Sequence, residues 1–437
     1  MNPGIIATPK VVPIGDRVCI RIEPTDGAAP WPEGAAVPCR FFPKVNRYQE
    51  QLFQARAGPS GSLELDLSFP SPGEYILQVV PEQGDGQLSE PLFAVEDAMM
   101  ALRPFKADLH MHTTHSDGAA SVLEMALSAG RAGMDAIAIT DHDVRAPLSE
   151  ARQVCERMGL ELTLIEGEEI TVRGHGGHLL CLGAAGPIGP HRHDADTEKA
   201  VNDILNETSL RGLPAALPRD TYAHLLWTAR RARQRGGLLI IAHPYWEGTR
   251  GWYYPAPDIV DRLIEDGLID GVEVFGGSAS NEGDMLALSR VAAAMGAGAR
   301  PIMSGGSDAH RAEDVGRLWT LILAPSRQVV DLLEALRSRR CVACNDRITT
   351  QQTLAFGPFE LMMYAGFLLR EYFPRRDPRC RELGKIATRA AMGQVRAGDE
   401  QRSVELRREL ATLQRCFWHE TSADARGAAK AGHGDGA

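Results

Sequence analysis

From Asp108 to Cys344 the chain alternates short apolar runs with amphipathic stretches long enough to form helices. "ADLHMH" precedes "SVLEMALSAGRAGM", which leads into "DAIAITDHD"; "AHLLWTARRARQRGG" leads into "LLIIAHP", and "PDIVDRLIEDG" into "GVEVFGG". "NEGDMLALSRVAAAMGAG" then precedes "PIMSGGSDAH", and "VVDLLEALRSRR" precedes "CVAC". Strands buried on both faces read as continuous apolar runs, and the stretches between them suit crossover helices, so the pattern predicts parallel strands joined through helices. About seven such units in roughly 240 residues match the size of an α/β barrel, where chemistry gathers at the carboxyl ends of the strands.

The flanks break this rhythm. "RVCIRIEP" places Val18, Ile20 and Ile22 on one face, and "SLELDLSF" does the same with Leu63, Leu65, Leu67 and Phe69. That is the period of a half-buried strand, punctuated by "DGAAPWPEG" and "PSPGE", and it predicts a small β-sandwich-like domain over residues 1–100. Past the barrel, "PFELMMYAGFLLREYF" spaces Leu361, Tyr364, Ala365, Leu368, Leu369 and Tyr372 as a helix does, and "SVELRRELATLQRCFW" offers another amphipathic helix. We expect a helical extension over residues 350–420, its apolar stripe packed on the barrel or on a second subunit, which would make the chain a homo-oligomer. Residues 421–437, rich in Gly and Ala, are expected to be a disordered tail.

A chain of 437 residues exceeds one hydrophobic core, in keeping with several domains. The net charge of -10 argues against nucleic acid as the default partner. "MNPGIIATPKVV" lacks the features of a secretory signal and no long apolar span follows, so a soluble, cytoplasmic protein without a membrane partner is expected. Eight scattered cysteines fit reduced thiols, and Cys341 and Cys344 in "CVAC" read as half-buried strand residues rather than metal ligands.

Metal-capable side chains are concentrated at the predicted strand ends. "DLHMHTTHSDG" carries His110, His112, His115 and Asp117. His110 and His112 are two apart on a strand and share one side, so they can chelate one ion. Each later strand end adds candidates: Asp141, His142 and Asp143 in "TDHD", Glu168 and Glu169 in "EGEEIT", His178 in "GHLLCLG", His243 in "IIAHPYW", and Asp308 and His310 in "GGSDAH". A solvated charge or a core histidine explains any one of these, but not the whole set. Converging strand ends would bring them around one cavity, and a mixture of imidazole and carboxylate suits manganese, zinc or iron rather than calcium.

Taken in order, "DLHMHTTHSDG", "AITDHD", "GEEIT", "GHLLCLG", "IIAHP" and "GGSDAH" resemble the successive motifs of the PHP (polymerase and histidinol phosphatase) superfamily. The likeness spans residues 105–345 and implies a distorted (β/α)7 barrel. The front β domain followed by "FKADLHMHTTHSDG" also resembles a branch of metal-dependent hydrolases that includes carbaryl-type carbamate hydrolases. The resemblance implies two or three divalent ions: His110, His112 and Asp308 on one, His178 and His243 on a second, Glu169 bridging them, and Asp117, His142 and His310 as a third group. Gly-x-Glu-Ile-Thr favours Glu169 over Glu168 as the bridge.

The expected chemistry is hydrolysis by a metal-activated hydroxide. Phosphate esters gain most, because cations neutralise an anionic in-line transition state, and the same hydroxide also serves carbamates, amides or esters. A metal-stabilised scaffold without turnover is the third reading. The substrate is expected to be a small phosphorylated molecule. Asp308 and His310 are taken as catalytic as well as ligating, His115 as proton donor to a leaving group, and Asp108 and Asp141 as carboxylates that orient imidazoles. In "AHPYWEGTRGWYYP", Tyr245, Trp246 and Arg250 are expected to contact substrate. His191 and His193 in "PHRHDADTEK" read as solvated.

Overall fold

The structure, a computed structural model, describes residues 4–25, 30–79, 88–172, 177–189, 194–207, 218–247, 251, 253–255, 257–347 and 352–419. Arg250, Trp252, His191, His193 and residues 421–437 lie outside that set. The described residues divide into two compact units. One is drawn from Met1–Leu102, Gly366–Arg376 and Val404–Ala437, the other from Arg103–Ala365 and Asp377–Ser403.

In the first unit the alternating strands form two sheets. Ile5–Thr8, Arg17–Pro24 and Leu63–Ser68 make a three-stranded sheet, and Val11–Pro13, Leu88–Val95, Gly73–Val79, Ala36–Pro43 and Gln51–Arg56 a five-stranded one. Val18 pairs with Leu67, Ile20 with Leu65 and Ile22 with Leu63, so both apolar rows share one face. They pack with Phe41, Phe69 and Tyr75 into one core, the three rings lying 5.1 to 5.3 Å apart. A one-residue slip would turn every one of these side chains outward, and this fixes the register. Parts of the C-terminal helices belong to the same unit: Phe367 packs on Phe93 at 5.3 Å and Tyr372 on Trp418 at 4.8 Å.

The second unit is a mixed α/β fold around a nearly closed, barrel-like sheet. Its strands run, in spatial order, Ile302–Gly306, Gly271–Gly276, Leu238–Ile241, His178–Leu182, Thr163–Thr171, Ala136–Ile139, Arg103–Asp108, Leu318–Ala324, Cys341–Asn345 and Leu354–Phe356. The first strand closes on the eighth at Gly305, whose backbone N–H donates to Thr320 Oγ1 at 3.0 Å and whose carbonyl accepts from it at 2.9 Å. Ala107, Leu109, Ala138, Ile165, Leu180, Ile240 and Ala242 fill the interior.

The sheet departs from the all-parallel expectation. His178–Leu182 runs antiparallel to both neighbours, and Leu318–Ala324 antiparallel to both of its own. Only residues 172–177 join Thr171 to His178, too few for a crossover, which needs a dozen or more. Because that strand is reversed, its first residue, His178, lies beside the last residue of the preceding strand, Thr171. Cys341 and Cys344 are buried outright, at 1% and 0% exposure, rather than half-buried. Burial pushes the Cys341 thiol up to about 12. Among the described residues no helix is long and apolar enough to cross a membrane.

Candidate metal centre

Strand order decides which side chains meet. Arg103–Asp108 leads into His110 and His112, and Ala136–Ile139 into Asp141 and His142. Two isolated bridges extend the sheet past the regular strands, Met111 beside Ala309 and His142 beside Glu169. Backbone hydrogen bonds from His112 N to Ala309 O (2.9 Å) and from Glu169 N to Asp141 O (3.1 Å) hold these loops together. Asp308 has a left-handed backbone, φ 49°, which Asp tolerates better than most residues.

Glu169 stands at the centre. Its Oε2 lies 3.3 Å from His110 Nε2, 3.1 Å from His112 Nε2 and 3.3 Å from His142 Nδ1. Its Oε1 lies 3.0 Å from His178 Nδ1 and 3.1 Å from His243 Nε2. Asp308 Oδ1 is 3.3 Å from His110 Nε2 and 3.0 Å from His112 Nε2, and those two nitrogens are 3.1 Å apart. On the exposed side Asp117 lies 3.3 Å from His310 Nε2 and 3.7 Å from His142 Nε2. The donors fall into three overlapping groups: His110, His112, Glu169 and Asp308; His142, Glu169 and His178; and His112, Asp117, His142 and His310. His243 joins through Glu169.

These groups fit divalent ions. Glu169 Oε2 and Asp308 Oδ1 are buried without a hydrogen-bond partner, a costly arrangement if left so. Nitrogen and oxygen ligands about 2.1 Å from a tetrahedral or octahedral ion stand roughly 3.0 to 3.4 Å from each other. The spacing seen among His110, His112, Glu169 and Asp308 is 3.0 to 3.3 Å.

The electrostatics point the same way. Burial works against charge on His110, yet the carboxylates of Glu169, Glu273 and Asp308 outweigh it and hold the imidazole well above its ordinary value. In His112 burial is likewise overcome, here by the facing carboxylates of Asp308 and Glu169, and the ring is pushed up to about 9. Burial alone would raise the carboxyls of Glu169 and Asp308, but the facing imidazoles pull both below the usual carboxylate range. Protons thus occupy places where a cation would be welcome.

Supporting residues differ from those expected. Asp108 orients no imidazole: it accepts from the backbone N–H of Ser307 (2.9 Å) and of Gly316 (2.8 Å). Asp141 accepts from Thr113 N and Oγ1, both at 2.7 Å, and from Ser116 Oγ at 2.6 Å, and so fastens the loop after His112. Orientation of His110 falls instead to Glu273, whose two oxygens each lie 3.2 Å from His110 Nδ1 and whose Oε2 accepts from His243 N at 2.8 Å. The signal was a glutamate inside the apolar run "GVEVFGG", since a fully buried charge is rare unless it is partnered. Ser278 Oγ donates to Asp308 Oδ2. A β-carbon on Gly306 would stand 2.2 Å from Glu273 Oε1 and 2.6 Å from His110 Cβ, so this close approach requires glycine.

Glu168 faces away from the centre and accepts from Ile188 N and Gly189 N, as alternation along a strand demands. Burial raises its carboxyl. His115 is exposed, its backbone N–H donates to Thr113 Oγ1, and its ring enters none of the three groups. Tyr245 does not reach the centre: it is 3% exposed, part of the core, and its hydroxyl accepts from Arg290 Nε at 3.2 Å. Trp246 does line the centre, within a cavity of about 140 Å³ shared with Asp117, His142, Glu169, His178, His243, Ser278, Asp308 and His310.

Comparison with known proteins accords with this geometry. The family model described as PHP domain matches residues 108–329, half of the chain. A phosphoribosyl 1,2-cyclic phosphate 1,2-diphosphodiesterase of Eggerthella lenta is 27% identical over 259 residues, covering 46% of this chain and 93% of that protein. A 5'-3' exoribonuclease of Escherichia coli is 40% identical over 77 residues, covering 17% of this chain and 26% of that enzyme. Among solved structures, a two-domain protein of Bacteroides vulgatus containing a predicted PHP-like metal-dependent phosphoesterase is similar at 23% identity and a TM-score of 0.39. That match covers 56% of this chain and 65% of that one. None of these three is a carbamate hydrolase.

Proposed function

This chain belongs to the PHP domain family, and on that premise we propose that it is a metal-dependent phosphoesterase acting on a small phosphorylated molecule. The observation that carries the reading is the pair of buried, unpartnered carboxylate oxygens, Glu169 Oε2 and Asp308 Oδ1, facing imidazole nitrogens at 3.0 to 3.3 Å. The cyclic phosphodiesterase and exoribonuclease likenesses support cleavage of a phosphoester.

The two oxygens of Glu169 face different imidazoles, His110 and His112 on one side, His178 and His243 on the other, so Glu169 would bridge two ions. Asp308 would complete the first position. Asp117, His142 and His310 would hold a third ion on the exposed side. When bound, divalent ions such as manganese, zinc or iron lower the pKa of water toward about 7 and neutralise the charge of a phosphoryl group. The protein's own part is positioning. Glu273 takes the Nδ1 proton of His110 and the Asp308 carbonyl that of His310, at 2.9 Å, which leaves each Nε2 lone pair free to ligate. His310, 38% exposed, faces Asp117 at the side open to solvent, and a leaving oxygen would take its proton there from water.

The test is a paired turnover assay on manganese-loaded protein, using an aryl phosphate and an aryl carbamate with the same leaving group, with Asp308→Ala as control. Metal-dependent release from the phosphate alone, lost in the variant, is the expected result. Release from the carbamate alone would replace this reading with carbonyl-directed hydrolysis.

A further inference from the structure

The cavity is small, and apart from Trp246 the described residues that line it are carboxylates, imidazoles and a serine, so one wall stands out. At roughly 30 Å³ per water molecule, 140 Å³ holds about five waters. That is room for a phosphoryl group and attacking water, and the esterified group must project outward. At the mouth Asp117, 54% exposed, repels further anionic substituents. Trp246 offers the one large apolar wall among the described lining residues.

Its placement follows from the local sequence. His243-Pro244-Tyr245-Trp246 closes a turn, with Trp246 N donating to His243 O at 3.0 Å and Tyr245 at φ 70°. Proline second and a left-handed residue third is the type II signature. A tyrosine costs more than glycine in that conformation, and its burial with the Arg290 bond holds it there. The turn swings the indole over the metal-facing imidazoles. Trp246 lies 5.9 Å from the His243 ring and 6.3 Å from that of His178, nearly parallel to the latter at 29°. Its strand partner Tyr254, on the same face of a two-stranded hairpin, lies 5.7 Å away. The indole is half-buried.

We propose that Trp246 is the platform for the leaving group, and that the substrates are phosphoesters carrying a planar aromatic ring next to the phosphate. The proposal rests on the phosphoesterase reading and deepens it. Stacking of a flat ring on the indole would leave the phosphoryl group over Glu169 and Asp308.

The experiment compares phenyl phosphate with glycerol 2-phosphate on manganese-loaded wild type, Trp246→Ala and Trp246→Phe, each variant scored as its loss relative to wild type so that leaving-group reactivity cancels. Binding of phenylphosphonate and ethylphosphonate is measured alongside. Stacking of this kind is worth roughly ten- to hundred-fold. We expect Trp246→Ala to lose about that factor more kcat/KM on phenyl phosphate than on glycerol 2-phosphate, chiefly through KM, with Trp246→Phe recovering most of it. Wild type should bind phenylphosphonate the more tightly, and Trp246→Ala should lose the preference. Equal losses on both substrates, with lowered metal content, would overturn the proposal and leave Trp246 as a support for His178 and His243. Absent turnover of either phosphate together with absent binding of either phosphonate would instead overturn the phosphoesterase reading itself.

Discussion

Replacing Glu273 by Gln probes the centre without touching a proposed ligand. The carboxylate is fully buried, accepts from His110 Nδ1 through both oxygens at 3.2 Å, and accepts from His243 N at 2.8 Å. Gln keeps the shape but has one acceptor and one donor, so its NH₂ group must face either the His243 N–H or the His110 ring. Facing the ring, it leaves one oxygen to accept from both His110 Nδ1 and His243 N and sets a donor beside Nδ1, which favours the His110 proton on Nε2, the nitrogen aimed at Glu169 and Asp308. Facing His243, it sets donor against donor in a buried place. Loss of such an outer partner costs ten- to hundred-fold in metal affinity, about 1.4 to 2.8 kcal/mol. The tautomer conflict places Glu273→Gln at the upper end, roughly hundred-fold. Competition against a chromogenic chelator of known affinity reads this directly, with circular dichroism of the metal-free protein as the check on folding. A folded Glu273→Gln protein whose affinity stays within about threefold of wild type, while His110→Ala collapses, would refute the reasoning.

Two further outcomes follow from the same geometry. With ions stripped, His110 and His112 are raised above the unfolded value of about 6.5, so their stabilisation is present at low pH and lost as pH rises through the folded values, about 9 for His112. The melting temperature of metal-free protein should therefore fall between pH 7 and 10, while metal affinity rises over that range and loading at pH 7 releases protons into a weakly buffered solution. Gly306→Ala would place a methyl 2.2 Å from Glu273 Oε1, so it should lower both melting temperature and bound metal, measured by thermal unfolding and elemental analysis.

The proposed ligands were legible because most of them lie at or next to the ends of apolar runs, and a barrel brings such ends together. What stayed hidden depended on pairing and direction. The reversal at His178 could have been inferred from the six-residue connection 172–177, but the alternation of runs suggested parallel strands. Asp108 and Asp141, beside ligands in sequence, serve backbone amides and hydroxyls instead. The imidazole is oriented by Glu273, 163 positions from His110 in sequence, and no local spacing reports such a pair. Tyr245 and Trp246 show the same limit at one step: a type II turn sends one into the core and the other to the cavity, and their identities alone do not say which. The C-terminal helices form as their periodicity implied, while their division between the two compact units depends on packing.

The most direct test of the account is the number of manganese ions retained per chain after reconstitution and gel filtration, in wild type and in Glu169→Gln. The account predicts at least two in wild type and a collapse below one in a folded Glu169→Gln protein, because both oxygens of Glu169 face the imidazoles proposed to hold separate ions. Fewer than two ions in wild type, or an unchanged count in the variant, would contradict it.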